Sequence, residues 1–294
     1  MGSLYRSRRR DINFWSLFGE KKKSEEKSMA MQHTPLLMSK IIDRGAKVAP
    51  YEEIVTATEN GVRRQTYKET RDRAHQLAHA LAEAGIAIGD RVGTFMWNGS
   101  RHLEAYQACA GMGAVLHTLN IRLSEKDLEY IINHAEDQII IVDADILPLL
   151  EKLEGKMPTV RQVVIATEEG FEGWSTQLPN AVDYEDFIKD KPTHYEWPDI
   201  DENSPLGLCY TSGTTGNPKG VEYEHRSQYL HTLACSMTDS MALSATDSVC
   251  GIVPMFHAMG WGIPWVGLML GCKQVMPHRF MDPARILDLM VAED

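Results

Sequence analysis

Basic residues are scarce in this chain. Lysine and arginine number 30 against 41 aspartates and glutamates, a formal net charge of −11 over 294 residues. Nucleic-acid binding depends on neutralising phosphates with a basic surface, so that class is excluded. Cysteine is scarce as well. The five (Cys109, Cys209, Cys235, Cys250 and Cys272) are scattered, with no Cys-x-x-Cys pair. Such an odd, dispersed set excludes a disulfide framework and has no zinc-ligand spacing. Their apolar neighbours mark them as reduced core residues, which fits a cytoplasmic, reducing location. No run reaches the roughly 18 uninterrupted apolar residues of a membrane span. What remains is 43% hydrophobic and 24% charged, an ordinary globular balance with a sizeable core.

One segment reverses the charge balance. Within residues 1–28, Arg6, Arg8, Arg9, Arg10, Lys21, Lys22 and Lys23 form a basic tail, with Trp15, Leu17 and Phe18 between the clusters. It has no apolar core for a secretory signal. Arg6 stands where a myristoylation motif has Ser or Thr. Asp11, Glu20, Glu25 and Glu26 weaken a transit-peptide reading. The expectation is a flexible tail. An organellar address and contact with an anionic membrane are the alternatives.

From about Gln32 the pattern becomes globular, with a helix starting near Thr34 and a strand over Glu52–Ala57. Thr66 and Glu69 have capping-box spacing, and the helix they start closes at Gly85. Arg91–Met96, Ile139–Val142 and Gln162–Ile165 read as buried strands. Ser100 and Ser124 are candidate caps for helices. Residues 166–204 read as irregular chain without an active residue. Strands alternating with helices predict an α/β fold with a parallel sheet.

Tyr210–Gly220 packs three glycines, four Ser/Thr hydroxyls, one proline and one lysine into eleven positions. Glycines free backbone N–H groups to face an anion, hydroxyls add donors and lysine adds charge. Leu206, Leu208, Cys209 and Tyr210 predict a strand before it, and a helical pattern starts near His225. A strand–loop–helix layout follows, with the loop amides near a helix N-terminus and Leu230, Leu233, Ala234, Met237 and Met241 packed on the sheet. A P-loop needs Gly-Lys-Ser/Thr, but Lys219 lies between Pro218 and Gly220. The dinucleotide Gly-x-Gly-x-x-Gly also fails, with glycines at 213, 216 and 220.

Thr211–Gly220 resembles the phosphate-binding signature of adenylate-forming enzymes, Thr-Ser-Gly-Thr-Thr-Gly-x-Pro-Lys-Gly, at every fixed position. A second motif, Phe256-His257-Ala258-Met259-Gly260-Trp261-Gly262, follows a strand over Cys250–Val253. It is similar to the acyl-pocket segment of medium- and long-chain fatty acyl-CoA synthetases in that superfamily. His117-Thr118-Leu119-Asn120-Ile121-Arg122-Leu123 adds to the likeness, with Ile121 where relatives usually have proline. Many relatives also differ at Met259 and Gly260, which bears on the chain length accepted.

The resemblance implies stacked, mostly parallel sheets with flanking helices. It implies ATP-dependent activation of a fatty acid to an acyl-adenylate, then transfer to coenzyme A. Lys219 and Thr211 would be catalytic. Thr211, Ser212, Gly213, Thr214, Thr215, Gly216 and Lys219 would hold the ATP phosphates, with the Thr211 hydroxyl on Mg²⁺. His257, Ala258, Met259, Gly260 and Trp261 would line the acid site, histidine at the carboxylate end and tryptophan shaping the tunnel. A homodimer is a further implication. Residues 29–294 correspond to part of the family's N-terminal domain, without its downstream motifs or small C-terminal domain, so weak or no turnover is expected. A non-catalytic acyl- or nucleotide-binding scaffold and adenylation of an aryl or short-chain acid are the alternatives.

Overall fold

The computed structural model describes residues 34–168, 173–211 and 216–294. The basic tail and four signature residues, Ser212, Gly213, Thr214 and Thr215, lie outside the described residues.

Two sheets organise the chain. The smaller has β1 (Glu53–Thr58), β2 (Gly61–Thr66), β10 (Ser248–Cys250) and β11 (Lys273–Met276), in the order β10-β11-β1-β2. The larger has β3 (Arg91–Phe95), β4 (Val115–Thr118), β5 (Ile139–Asp143), β6 (Gln162–Ala166), β7 (Val182–Asp183), β8 (Pro205–Thr211) and β9 (Lys219–Glu224). Its order is β7-β6-β5-β3-β4-β8-β9, and every neighbour pair is parallel except β8 with β9.

The alternation of side chains along β5 divides the core. Ile139 and Ile141 pack on one face with α1 (Met38–Val48), α2 (Tyr67–Glu83), α3 (Ser100–Met112) and α8 (Ile263–Leu270). Ile54 and Met276 of the smaller sheet belong to that same cluster, so this helical layer shares one core with both sheets. Ile140 and Val142 face the other way, onto Leu128, Ile131 and Ile132 of α4 (Glu125–Ala135). Strands apolar on both faces are those of a parallel sheet covered on both sides. Each such side chain contributes about 1.5–3 kcal/mol by burial.

Caps fix the helix starts. Thr66 and Glu69 form the reciprocal capping box of α2. Ser124 Oγ accepts from Asp127 N at 3.2 Å. Ser100 does not cap α3: Gly99 holds the cap position without a side-chain bond. The Ser100 hydroxyl is engaged by the Arg63 guanidinium instead. Residues 166–204 are also less irregular than expected. They hold β7 and the short α6 (Tyr184–Ile188), capped by Asp183, whose Tyr184 hydroxyl donates to the fully buried Glu104 at 2.6 Å. Short elements bury too few apolar residues to show a period.

Two helices bury fewer of their apolar residues than hydrophobicity predicts. In α7 (His225–Cys235) the buried residues are His225, Gln228, Thr232 and Cys235. Leu230, Leu233 and Met237 are exposed. In α9 (Pro283–Ala292), Leu289 is buried but Met290 is exposed and Ile286 half-buried.

Gly111, inside α3, is a packing requirement. A Cβ there would lie 2.5–2.7 Å from three ring atoms of Trp197. The rigid indole cannot yield as a flexible chain end would. Gly111→Ala should therefore destabilise the fold by about 1–3 kcal/mol, although alanine is the better helix former. Urea unfolding checks this, and a gain in stability would contradict the packing.

Candidate functional site

The described signature residues Thr211 and Lys219 sit on a hairpin. β8 and β9 pair antiparallel with Thr211 opposite Lys219, Cys209 opposite Val221 and Gly207 opposite Tyr223. A strand, β9, thus stands between the loop and the helix α7, which begins at His225 as expected. The missed signal is the two-residue period Val221, Tyr223, diluted by Gly220, Glu222 and Glu224. Thr211, Gly216 and Lys219 are exposed at the hairpin's loop end. Thr211 Oγ1 lies 3.5 Å from the Lys219 carbonyl oxygen. Gly216 has φ +137°, where an L side chain would be strained.

Residues directly opposite in a ladder share a face, and so do alternate residues along each strand. Thr211, Lys219, Cys209, Val221, Gly207 and Tyr223 therefore lie on one face of the hairpin. Lys219 and Tyr223 are four residues apart, or about 13 Å at ~3.3 Å per residue.

At the Tyr223 end that face meets a cleft of about 420 Å³. Its walls include Tyr223, Gln228 and His231, closed by Ala258 and Trp261. How Ala258 and Trp261 arrive there follows from two features. First, Asn98 pins the incoming chain. Its amide nitrogen donates to the Gly251 and Val253 carbonyls at 2.7 and 2.8 Å, and its oxygen accepts from Met255 N at 2.7 Å. The Tyr106 hydroxyl donates to the Met255 carbonyl, and Thr118 Oγ1 to that of Phe256 at 3.3 Å. Second, the backbone then turns left-handed through five residues: Ala258, Met259, Gly260, Trp261 and Gly262 have φ of 45°, 53°, 62°, 53° and 75°. For the three non-glycine residues this costs roughly 1–2 kcal/mol each. Strain of this kind persists where the surroundings enforce it, typically at ligand sites.

The turn separates the five expected acid-site residues. Ala258 and Trp261 line the cleft, and the indole is 56% exposed. Met259 points away and packs into the core, reaching the space that a Cβ on Gly207 would fill. Gly260 is buried against Pro264. His257 is exposed and does not belong to the cleft wall. Sequence reasoning missed Tyr223, Gln228 and His231. Gln228 and His231 lie three apart on α7, a polar stripe that an apolar search passes over.

Electrostatics argue against a thiol nucleophile. Burial pushes the Cys209 and Cys235 thiols up, so neither is a thiolate at neutral pH. Among the described residues no cluster of three or more His, Cys, Asp or Glu could hold a metal. Tyr210, just before Thr211, lies between two histidines. Its hydroxyl is 2.6 Å from His134 Nδ1, and its ring is 5.1 Å from that of the buried His117. His117 Nδ1 in turn meets the Asp137 carboxylate at 2.8 Å. Arg122 is exposed, its N–H donating to Asn120 Oδ1 at 2.9 Å. Among the described residues no helix is long and apolar enough to cross a membrane.

Comparison with known proteins agrees with this geometry. The family described as AMP-binding enzyme matches residues 42–294. The chain is 40% identical over 264 residues to a medium-chain-fatty-acid–CoA ligase of Ectopseudomonas oleovorans, covering 90% of this chain and 48% of that protein. It is 42% identical over 253 residues to a long-chain-fatty-acid–CoA ligase of Thermus thermophilus, covering 86% and 45%. It therefore spans about half the length of the relatives it matches. Among solved structures, the inhibitor-bound N-terminal domain of FACL13 from Mycobacterium tuberculosis superposes with a TM-score of 0.75 at 22% identity. That match covers 87% of this chain and 61% of the other, and at such identity it speaks for the fold alone. With Thr211 and Lys219 paired on a hairpin, a cleft on the same face and a family match over residues 42–294, the chain belongs to the AMP-binding enzyme family.

Proposed function

We propose that this chain supplies the ATP- and acid-binding part of an AMP-forming fatty-acid–CoA ligase. The observation that carries this is the shared face. Lys219 and Thr211 stand at one end of the β8–β9 hairpin, and the 420 Å³ cleft opens at the other. The relatives' names supply the acid class. In the reaction two anions approach and charge builds on the leaving pyrophosphate, so the demand is for positioned donors and positive charge. Lys219 is an exposed ammonium suited to the β- and γ-phosphates. The Thr211 hydroxyl is the described oxygen donor nearest that end. It fits a Mg²⁺ held mainly by phosphate oxygens and water, the ion's usual arrangement. Such an ion would neutralise phosphate charge. The Ala258–Gly262 turn and Trp261 orient the acid and shed water from it. Coenzyme A is the acceptor in this reading. Residues 29–294 act as one AMP-binding unit, and self-association and membrane contact through residues 1–28 belong to the same proposal.

Calorimetric titration of ATP with Mg²⁺ tests the hairpin. Lys219→Ala should weaken ATP about tenfold, since a hydrogen bond to a charged group is worth ~1.5–3 kcal/mol. Pyrophosphate exchange with octanoate or palmitate tests chemistry. Unchanged ATP affinity in Lys219→Ala would sink the assignment of Lys219.

A further inference from the structure

The 420 Å³ cleft has a direction. Tyr223, on the hairpin face that carries Lys219, marks one end, and Ser227 and Gln228 follow on the first turn of α7. His231 and Cys235 continue the wall one and two turns further along the helix. The His231 ring comes within 3.5 Å of Cys235 Sγ. The left-handed turn seats on the middle of this wall: a Cβ on Gly262 would lie 2.7 Å from His231 Nδ1 and 3.5 Å from Gln228 Nε2. The character of the wall changes along it. Tyrosine, serine and glutamine stand at the hairpin end, and two sulfur-bearing side chains, Cys235 and Met241, stand at the far end. Met241 reaches the far end because the chain wraps round the last turn of α7. Its N–H donates to the Cys235 carbonyl at 3.3 Å, and Ser240 N donates to that of Met237 at 3.0 Å. Those bonds satisfy carbonyls that a helix end leaves open, and they set a half-buried thioether in the cleft wall beside Cys235.

The wall can be measured. Ser227 to Cys235 is eight residues of helix, about 12 Å at ~1.5 Å per residue. An extended chain of tetrahedral carbons, with bonds of ~1.5 Å at ~111°, advances about 1.25 Å per bond. The carboxylate belongs at the polar, hairpin end, toward Lys219, and the apolar tail at the sulfur-lined end. An acid of about eight to ten carbons then reaches Met241. We propose that Met241 is a specificity-determining residue: its side chain ends the cleft and sets the acyl chain length at about eight to ten carbons. This rests on the acid-site reading above and fixes a length that the relatives' names leave open. Each methylene laid along the wall before Met241 leaves water. A methylene beyond it does not, so longer chains gain nothing further.

The test is direct binding, which needs no turnover. Unbranched acids of even length, from butyrate to tetradecanoate, are titrated calorimetrically into the full chain with ATP and Mg²⁺ present. Affinity should rise about fourfold per carbon, the return for burying a methylene, and stop rising at about eight to ten carbons. Met241→Ala takes three heavy atoms off the end and should move the stop outward by about two carbons. Dodecanoate should then bind about tenfold more tightly than decanoate, where the wild type hardly separates them. Met241→Leu, close in volume, should keep the wild-type stop. A rise that runs unbroken to tetradecanoate in the wild type would overturn the inference and leave the acid-site reading standing. So would a stop at the same length in Met241→Ala. If no acid binds at all, the acid-site reading itself fails and the inference with it.

Discussion

Replacing Asn98 with alanine should lower stability by about 3–5 kcal/mol and release the strand that leads into the cleft. Asn98 is 4% exposed and satisfies three backbone groups of one segment, the Gly251 and Val253 carbonyls and the Met255 amide. Truncation leaves the buried Met255 donor and two half-buried acceptors without their partner, at ~1–3 kcal/mol each before relaxation. Only a carboxamide donates twice and accepts at once, and glutamine would carry it one methylene too far. Asn98→Asp would keep the acceptor for Met255 but turn both carbonyls against a carboxylate, so that variant should be no milder. The effect should also be local. Asn98 further ties the segment to β11's exit, its carbonyl accepting from His278 N at 3.0 Å. The left-handed turn at Ala258–Gly262 is held only while the chain entering it is held. Urea unfolding measures the first effect, and amide exchange at Met255 and through residues 256–262 measures the second. A loss below about 1 kcal/mol, or exchange unchanged at Met255, would show that the turn is fixed by its own packing.

The parallel sheet was legible because its strands are continuous apolar runs. Ile139–Val142 and Gln162–Ile165 need no neighbour to be recognised, and the capping box at Thr66 and Glu69 is a local code. The hairpin was not legible. Val221 and Tyr223 alternate with glycine and glutamates, as suits an edge strand with one face toward solvent, and two alternating positions are too short a signal to mark a strand. The inward face of α7 was misjudged for a related reason. Hydrophobicity selects the face that avoids water, whereas α7 turns His225 and Gln228 inward. There the His225 ring accepts from Met38 N at 3.2 Å, and Gln228 borders the cleft. Motif residues were therefore easier to find than their orientations. Met259 and Trp261 sit two apart in one motif, yet five left-handed residues send one into the core and the other to the cleft. No propensity scale anticipates that turn.

Stability should fall steeply on both sides of neutrality, for opposite reasons. His75, His102 and His225 are buried, and each is lowered to about 4, chiefly by burial, which disfavours the charged ring. Their bonds require the neutral form at two of these. His75 Nδ1 accepts from Tyr195 N at 2.8 Å, and His225 Nδ1 from Met38 N. A depressed folded pKa contributes stability above the unfolded value near 6.5 that is lost as pH falls through about 4. Each contributes about 3 kcal/mol by linkage. Together they rival the whole stability of a typical domain, so the chain should unfold between pH 6.5 and 4. His278 has the opposite sign. Burial opposes its charge, but Glu168 at 2.8 Å and Asp143 at 3.5 Å outweigh that and raise it to about 9. Its contribution, again about 3 kcal/mol, is complete below pH 6.5 and fades as pH rises through about 9. Asp145 and Arg279 stand in the same cluster, and the arginine reaches Glu168 at 3.2 Å. The pair joins the turn after β11 to β5 of the larger sheet, so losing it loosens the junction between the sheets. Denaturant unfolding from pH 4.5 to 9.5 gives the profile. His278→Gln should flatten the limb between pH 6.5 and 9 and leave the acid limb unchanged. An alkaline limb of equal slope in wild type and His278→Gln would mean that buried thiols such as Cys109, pushed up to about 12 by burial, govern it instead.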